Sequence, residues 1–111
     1  MTEQSKKYLF DILRAIDLID QFILEYEFVD YDKDLKTQSA VERQLSIIGE
    51  ALNKFKKLET LAIIENDKQI VGFRNRLVHA YDSLDNSIIW AILKRHLMPL
   101  KSEVEFLLEK T

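Results

Sequence analysis

Between Gly72 and Asp82 the chain reads Gly72-Phe73-Arg74-Asn75-Arg76-Leu77-Val78-His79-Ala80-Tyr81-Asp82, and the eight positions from Arg74 to Tyr81 hold two arginines, an asparagine, a histidine and a tyrosine. The whole protein has only two histidines and no cysteine, so reactive side chains are concentrated here. A histidine titrating near pH ~6.5 takes or gives a proton in the neutral range. A nearby guanidinium grips a phosphate in a fork and stabilises charge on a pentacoordinate phosphorus. Together they suit metal-free RNA cleavage, in which a ribose 2′-hydroxyl attacks the neighbouring phosphate.

The element that must position these groups is a helix. Leu77, Val78 and Tyr81 follow Ile70 and Phe73 at three- and four-residue steps, the spacing of one buried face. At roughly 100° per residue Asn75 and His79 fall nearly in line, and Arg76 lies on the same side three residues before His79. Arg74 lies about 140° around from His79, so one helix does not bring that pair together easily. A two-fold dimer would, each helix supplying what the other lacks. Read without further context, an arginine and a histidine on a helix are also ordinary surface or capping residues, and motifs this short arise by chance.

Arg74, four intervening residues and then His79-Ala80-Tyr81 match the Arg-x4-His-x-Tyr signature of HepT-like proteins, a branch of the HEPN superfamily. The similarity extends to the block from Ala40 to Ala51, which resembles the family's second-helix block, and to Ile88-Ile89-Trp90 with Leu97, Pro99 and Leu100, which resemble its C-terminal helices. It therefore covers essentially all of residues 1–111 as a single HEPN/HepT-like domain. The resemblance implies a metal-independent endoribonuclease toxin of a type VII-like toxin–antitoxin pair, with no cofactor and with a composite site at a homodimer interface. Carried over by motif, Arg74 binds phosphate and stabilises charge, and His79 is the general base or acid. Asn75 and Arg76 support the site, and Tyr81 is the residue adenylylated by a partner nucleotidyltransferase antitoxin of the MntA type. Such a modification puts bulk and negative charge two residues from His79, enough to repel an RNA phosphate. From the residues alone, Tyr81 is equally a core or interface aromatic.

A chain of 111 residues is one small domain, large enough for one core and not two. Apolar residues make up 47% and charged ones 32%, ordinary for a soluble helical protein. The start, Met1-Thr2-Glu3-Gln4-Ser5-Lys6-Lys7, runs straight into an amphipathic pattern, unlike a signal peptide, and no apolar run approaches the roughly 18 residues of a membrane span. The absence of cysteine removes disulfide frameworks and thiolate metal sites. These features indicate a cytoplasmic protein with no membrane and no DNA partner. The net charge of −3 is unlike the basic surplus of dedicated nucleic-acid binders, so RNA contact must come from a local patch of Arg74, Arg76 and Arg43.

Taken in order, Leu9, Ile12, Leu13, Ile16, Ile19 and Ile23 repeat at three and four, predicting a first helix over about Thr2 to Tyr26. Its other face, with Lys6, Asp11, Arg14, Asp17 and Gln21, is solvated. The acids and aromatics from Glu25 to Asp34 read as a turn; the alternating Asp30, Asp32 and Asp34 lack the glycine and terminal glutamate of a calcium loop. A second helix from near Leu35 to Phe55 turns Val41, Leu45, Ile48, Leu52 and Phe55 inward. Gly49 in its middle costs roughly 1 kcal/mol relative to alanine, which points to close approach by a neighbouring helix, a dimer partner among the candidates. Glu42, Arg43, Glu50 and Asn53 form either exposed pairs or a supporting shell for the site, which spacing does not separate.

Lys54 to Glu65 extends the second helix or forms a short one of its own, and Asn66 or Asp67 caps the helix that carries the signature. Gly72 again suggests tight packing. Asp82 to Asn86 is a turn with cap candidates, and a fourth helix follows through Ile88, Ile89, Ile92 and Leu93. Pro99 breaks or kinks it before Leu100, Val104, Leu107 and Leu108. His96, read as lying towards that helix's end, suits the helix dipole and is assigned structure rather than catalysis. With no strand alternation and no repeat, the fold class is all-α: a four- to five-helix up-down bundle, HEPN-like. No His and carboxylate cluster has metal-ligand spacing. A second function class is a non-catalytic helical partner, or substrate-binding subunit, of a minimal nucleotidyltransferase; the intact signature favours the nuclease. A third is a dimeric helical domain with an inactive site.

Overall fold

The computed structural model describes residues 1–79 and 85–110, with side chains up to Asn75 in the fourth helix. The described residues form five helices: α1 (Glu3–Phe22), α2 (Phe28–Asp32), α3 (Leu35–Leu58), α4 (Lys68–His79) and α5 (Asn86–Glu109). The long α1 and α3 pack along each other, α5 packs on α1, and α4 lies chiefly on α3. This is the all-α bundle that the periodicities predict.

Local chemistry sets the helix ends. The side chain of Thr2 accepts from the Ser5 N–H at 3.0 Å, and Asp34 accepts from the Thr37 N–H at 3.1 Å, each satisfying one of the orphan donors of a first turn. Asp85 does the same for the Ser87 N–H at 2.9 Å. The first helix stops at Phe22, earlier than the spacing predicts, and Glu25 beyond it takes a left-handed φ of 65°. The predicted turn from Glu25 to Asp34 contains α2, which is held by a capping box between Glu27 and Asp30 and buries Tyr31 completely. Such a short helix carries almost no periodic signal.

Most of the predicted stripes are the core. Leu9, Ile12, Ile16 and Ile19 of α1 and Val41, Leu45, Ile48, Leu52 and Phe55 of α3 are fully buried. Ile88 departs from its expected role, being 45% exposed. Pro99 does not break the last helix, which is assigned as helical without interruption from Asn86 to Glu109. Buried Leu97, Leu100 and Val104 hold both sides of the proline against the core, offsetting the lost backbone hydrogen bond. His96 is consequently mid-helix, away from the terminal dipole.

Helix α3 continues past Phe55 to Leu58, and residues 59–67 are a non-helical connection. Three contacts pin it. Ser5 Oγ donates to Glu59 Oε2 at 2.7 Å, Lys56 pairs with the buried Asp67, and Glu103 accepts from the backbone N–H groups of Glu65 and Asn66 at 2.6 and 3.1 Å. Asp67 directly precedes α4, as the cap reading expects, and its carbonyl accepts from the Val71 N–H at 2.9 Å.

Candidate functional site

Helix α4 runs back antiparallel along α3. Lys56 meets Asp67, and seven residues back on one helix and seven forward on the other Gly49 meets Arg74. Ile70, at 0% exposure, and Phe73, at 4%, anchor α4 to the core, as their spacing predicts. This places the first residue of the signature against the middle of α3.

The contact at Gly49 is very close. A Cβ built there would stand 2.6 Å from Arg74 Cβ and 3.0 Å from its Cγ, closer than side-chain carbons approach each other. The glycine therefore acts as a seat for the arginine's aliphatic stem, and the neighbouring helix foreseen from its mid-helix position belongs to the same chain. Gly72 is the opposite case: a Cβ there would meet nothing within 4 Å. The tight packing expected at Gly72 is wrong, because that face of α4 looks onto an open groove.

With its stem seated, Arg74 is half-buried and keeps its guanidinium near solvent, where Nη1 donates to Asn75 Oδ1 at 3.3 Å. It forms no ion pair with a carboxylate among the described residues. A guanidinium held at its root, steadied by a neighbouring amide and lacking a protein anion is arranged to take an external one.

His79 is the last residue of α4. The side chains of His79 and Arg76, and Tyr81 altogether, lie outside the described residues, so their predicted roles stand as expectations. Among the polar residues of α3, Glu42 shares the Gly49 stripe two turns back, level with the end of α4. It is half-buried, and burial pushes its carboxyl above the usual range. Close by, the Tyr31 hydroxyl is buried without a hydrogen-bond partner among the described residues. Burial, with a contribution from the Glu42 charge, raises that phenol above its ordinary value. The Tyr31 ring lies 5.4 Å from that of Trp90. Of the other candidates, Glu50 is paired with Lys54 at 3.2 Å and Arg43 is exposed, while Asn53 is half-buried.

Spacing missed two features. Tyr31 lay in what read as a turn. The second is the partner of the other histidine: His96 Nδ1 lies 3.1 Å from Asn66 Oδ1, joining positions 30 residues apart. No local pattern signals such a contact. Among the described residues no group of three or more His, Cys, Asp or Glu side chains could hold a metal ion, and no helix is long and apolar enough to cross a membrane.

The family model described as "Ribonuclease HepT-like" matches residues 12–107. The chain is 39% identical over 109 residues to "Probable ribonuclease HepT" of Thermococcus cleftensis, covering 95% of this chain and 96% of that one. It is 31% identical over 110 residues to "Putative RNase MJ1380" of Methanocaldococcus jannaschii, covering 90% and 93% of the two chains. A second protein of that organism, "Putative RNase MJ1216", is 32% identical over 102 residues, covering 90% and 84%. No solved structure matches. The helical bundle, the seated arginine of the signature and a family match over nearly the whole length agree, and this chain belongs to the HepT-like ribonuclease family.

Proposed function

We propose that the protein is a metal-independent RNA endonuclease whose reaction centres on Arg74 and His79. The observation that carries this reading is the Arg74 guanidinium, rooted against Gly49, bonded to Asn75 and lacking a carboxylate partner among the described residues. In the proposed reaction a ribose 2′-oxygen forms a bond to the adjacent phosphorus as the bond to the 5′-oxygen breaks. The products are a 2′,3′-cyclic phosphate and a 5′-hydroxyl. His79 moves the proton, removing it from the 2′-hydroxyl or delivering it to the leaving oxygen. Arg74 stabilises the charge on the phosphoryl oxygens, with Asn75 and Arg76 supporting.

Because Arg74 and His79 lie about 140° apart on one helix, the site is read as composite, one protomer's Arg74 serving its partner's His79. The protein is further read as the toxin of a cytoplasmic toxin–antitoxin pair. Adenylylation of Tyr81 by an MntA-type nucleotidyltransferase silences it by setting negative charge against the RNA backbone. The net charge of −3 favours a selective RNA target over general degradation.

The test is cleavage of RNA in EDTA by the wild type, Arg74→Ala and His79→Ala, with growth arrest on expression as the cellular readout. Loss of both in each variant supports the reading. A wild type that neither cuts RNA nor slows growth, yet binds a nucleotidyltransferase, makes the protein that enzyme's helical partner subunit instead.

A further inference from the structure

On the side of α4 away from Gly49, a groove of about 480 Å³ opens between α4 and α5. This is within the size range of small-ligand sites. Gln69 and Gly72 line it from α4, and Ile88, Ile92, Arg95 and His96 from α5. Gly72 keeps one wall low. The groove is part apolar, with Phe73 joining the two isoleucines, and part polar at the end where Arg95 and His96 stand.

The polar end is organised. Glu103 Oε1 accepts from Asn66 Nδ2 at 2.9 Å, and a carboxylate offers only acceptors. The Asn66 amide is thereby oriented with Oδ1 towards His96, so at 3.1 Å His96 Nδ1 must be the donor. In a neutral imidazole that leaves Nε2 as an acceptor. Beside it Arg95 is exposed and has no ion-pair partner among the described residues. The nearby Glu103 carboxylate is engaged by the backbone of Glu65 and Asn66. The Asp85 carboxylate, bonded to Ser87, is roughly 16 Å away along α5. On the facing helix Gln69, Gly72, Arg76 and His79 follow at steps of three and four, so the α4 wall of the groove leads along one stripe to the signature histidine's position.

We propose that this groove is a ribonucleotide subsite on the same α4 stripe as His79, its polar end roughly 15 Å along the helix from that residue. Arg95 holds a backbone phosphate, His96 Nε2 accepts a hydrogen bond from the ribose 2′-hydroxyl, and the base lies against Phe73, Ile88 and Ile92. The class of ligand rests on the ribonuclease reading above. The 2′-hydroxyl is the group by which a protein tells RNA from DNA, and an oriented imidazole acceptor beside a free guanidinium is suited to a ribose and its phosphate together.

Two histidines give two imidazole Cε1–H signals in ¹H–¹³C spectra of the intact protein, and His96→Phe assigns them. Adenosine 5′-monophosphate is expected to shift the His96 signal and to bind roughly fivefold more tightly than its 2′-deoxy counterpart, the effect of one hydrogen bond. That preference disappears in His96→Phe. With an RNA oligonucleotide, Arg95→Ala and His96→Phe are expected to raise KM about tenfold while kcat stays within about twofold, as loss of uniform binding requires. The groove assignment is overturned if the nucleotide moves only the His79 signal or if ribose and deoxyribose bind equally. It is also overturned if sedimentation shows that the two variants weaken self-association and leave nucleotide binding intact, making the groove a contact between copies. Cleavage by the wild type with a silent His96 removes this subsite alone. A 2′-hydroxyl-sensitive His96 in a protein that cuts no RNA removes the ribonuclease and supports the nucleotide groove.

Discussion

Gly49 and Arg74 are in direct contact across the α3–α4 interface, so close that the glycine's missing Cβ would fall 2.6 Å from the arginine's own. Gly49→Ala therefore forces the signature arginine or its helix to move. Overpacking costs about 1–3 kcal/mol, outweighing the roughly 1 kcal/mol gained in helix propensity. A fall of several degrees in Tm is expected and, with Arg74 in the proposed catalytic role, RNA cleavage reduced about 10- to 100-fold, because small misplacements of such a group are expensive. Gly72→Ala is the control. Its Cβ meets nothing within 4 Å, so calorimetry should show a gain of roughly 0.5–1 kcal/mol.

Arg74→Lys separates charge from shape. Lysine keeps the charge and loses the fork. If the guanidinium grips the phosphate in two places, steady-state assays in EDTA should show kcat/KM lowered about 10²-fold or more by lysine and still further by alanine. The far-ultraviolet spectrum should be unchanged, since the residue stands at the edge of the core. Wild-type-like cleavage by the lysine variant would refute the bidentate role.

Asp34 gives the fold an acid dependence. The Thr37 hydroxyl, donating at 2.6 Å, and the Tyr26 hydroxyl, donating at 2.5 Å, hold its carboxylate down at about 2. A carboxyl lowered on folding contributes stability that is complete above its unfolded value near ~3.9 and is lost as pH falls towards 2. Thermal melts between pH 2 and 6 should show that loss in the wild type. Asp34→Ala should have a lower Tm near neutrality and a flatter profile across the window.

Tyr31→Phe is expected to stabilise. The ring packs at 5.4 Å from Trp90 in a fully buried position, while its hydroxyl is buried and has no partner among the described residues. Removing that oxygen should recover about 1–2 kcal/mol of desolvation cost. Urea unfolding would measure it as a higher midpoint at the same m-value. A loss of stability would mean that the hydroxyl has a partner in solution.

Helix identity was legible in the sequence because burial of one face leaves a three- and four-residue period wherever a helix is long enough to repeat it. Leu9 to Ile19 and Val41 to Phe55 show that period, and they are the core. The signature from Arg74 to Tyr81 and the family were equally legible, being properties of order along the chain. What depends on which surfaces meet was not. Gly49 and Gly72 carry the same propensity penalty, yet one is a seat for Arg74 and the other opens a groove, a difference set by whether another helix lies against it. Pro99 reads as a break, but core packing on either side holds the helix together. His96 reads as a helix-end residue suited to the dipole, but it lies mid-helix and the chain returns Asn66 to it, with Glu103 fixing the amide. A linear pattern records which way each side chain leans on its own helix; only the packed bundle decides what it meets there.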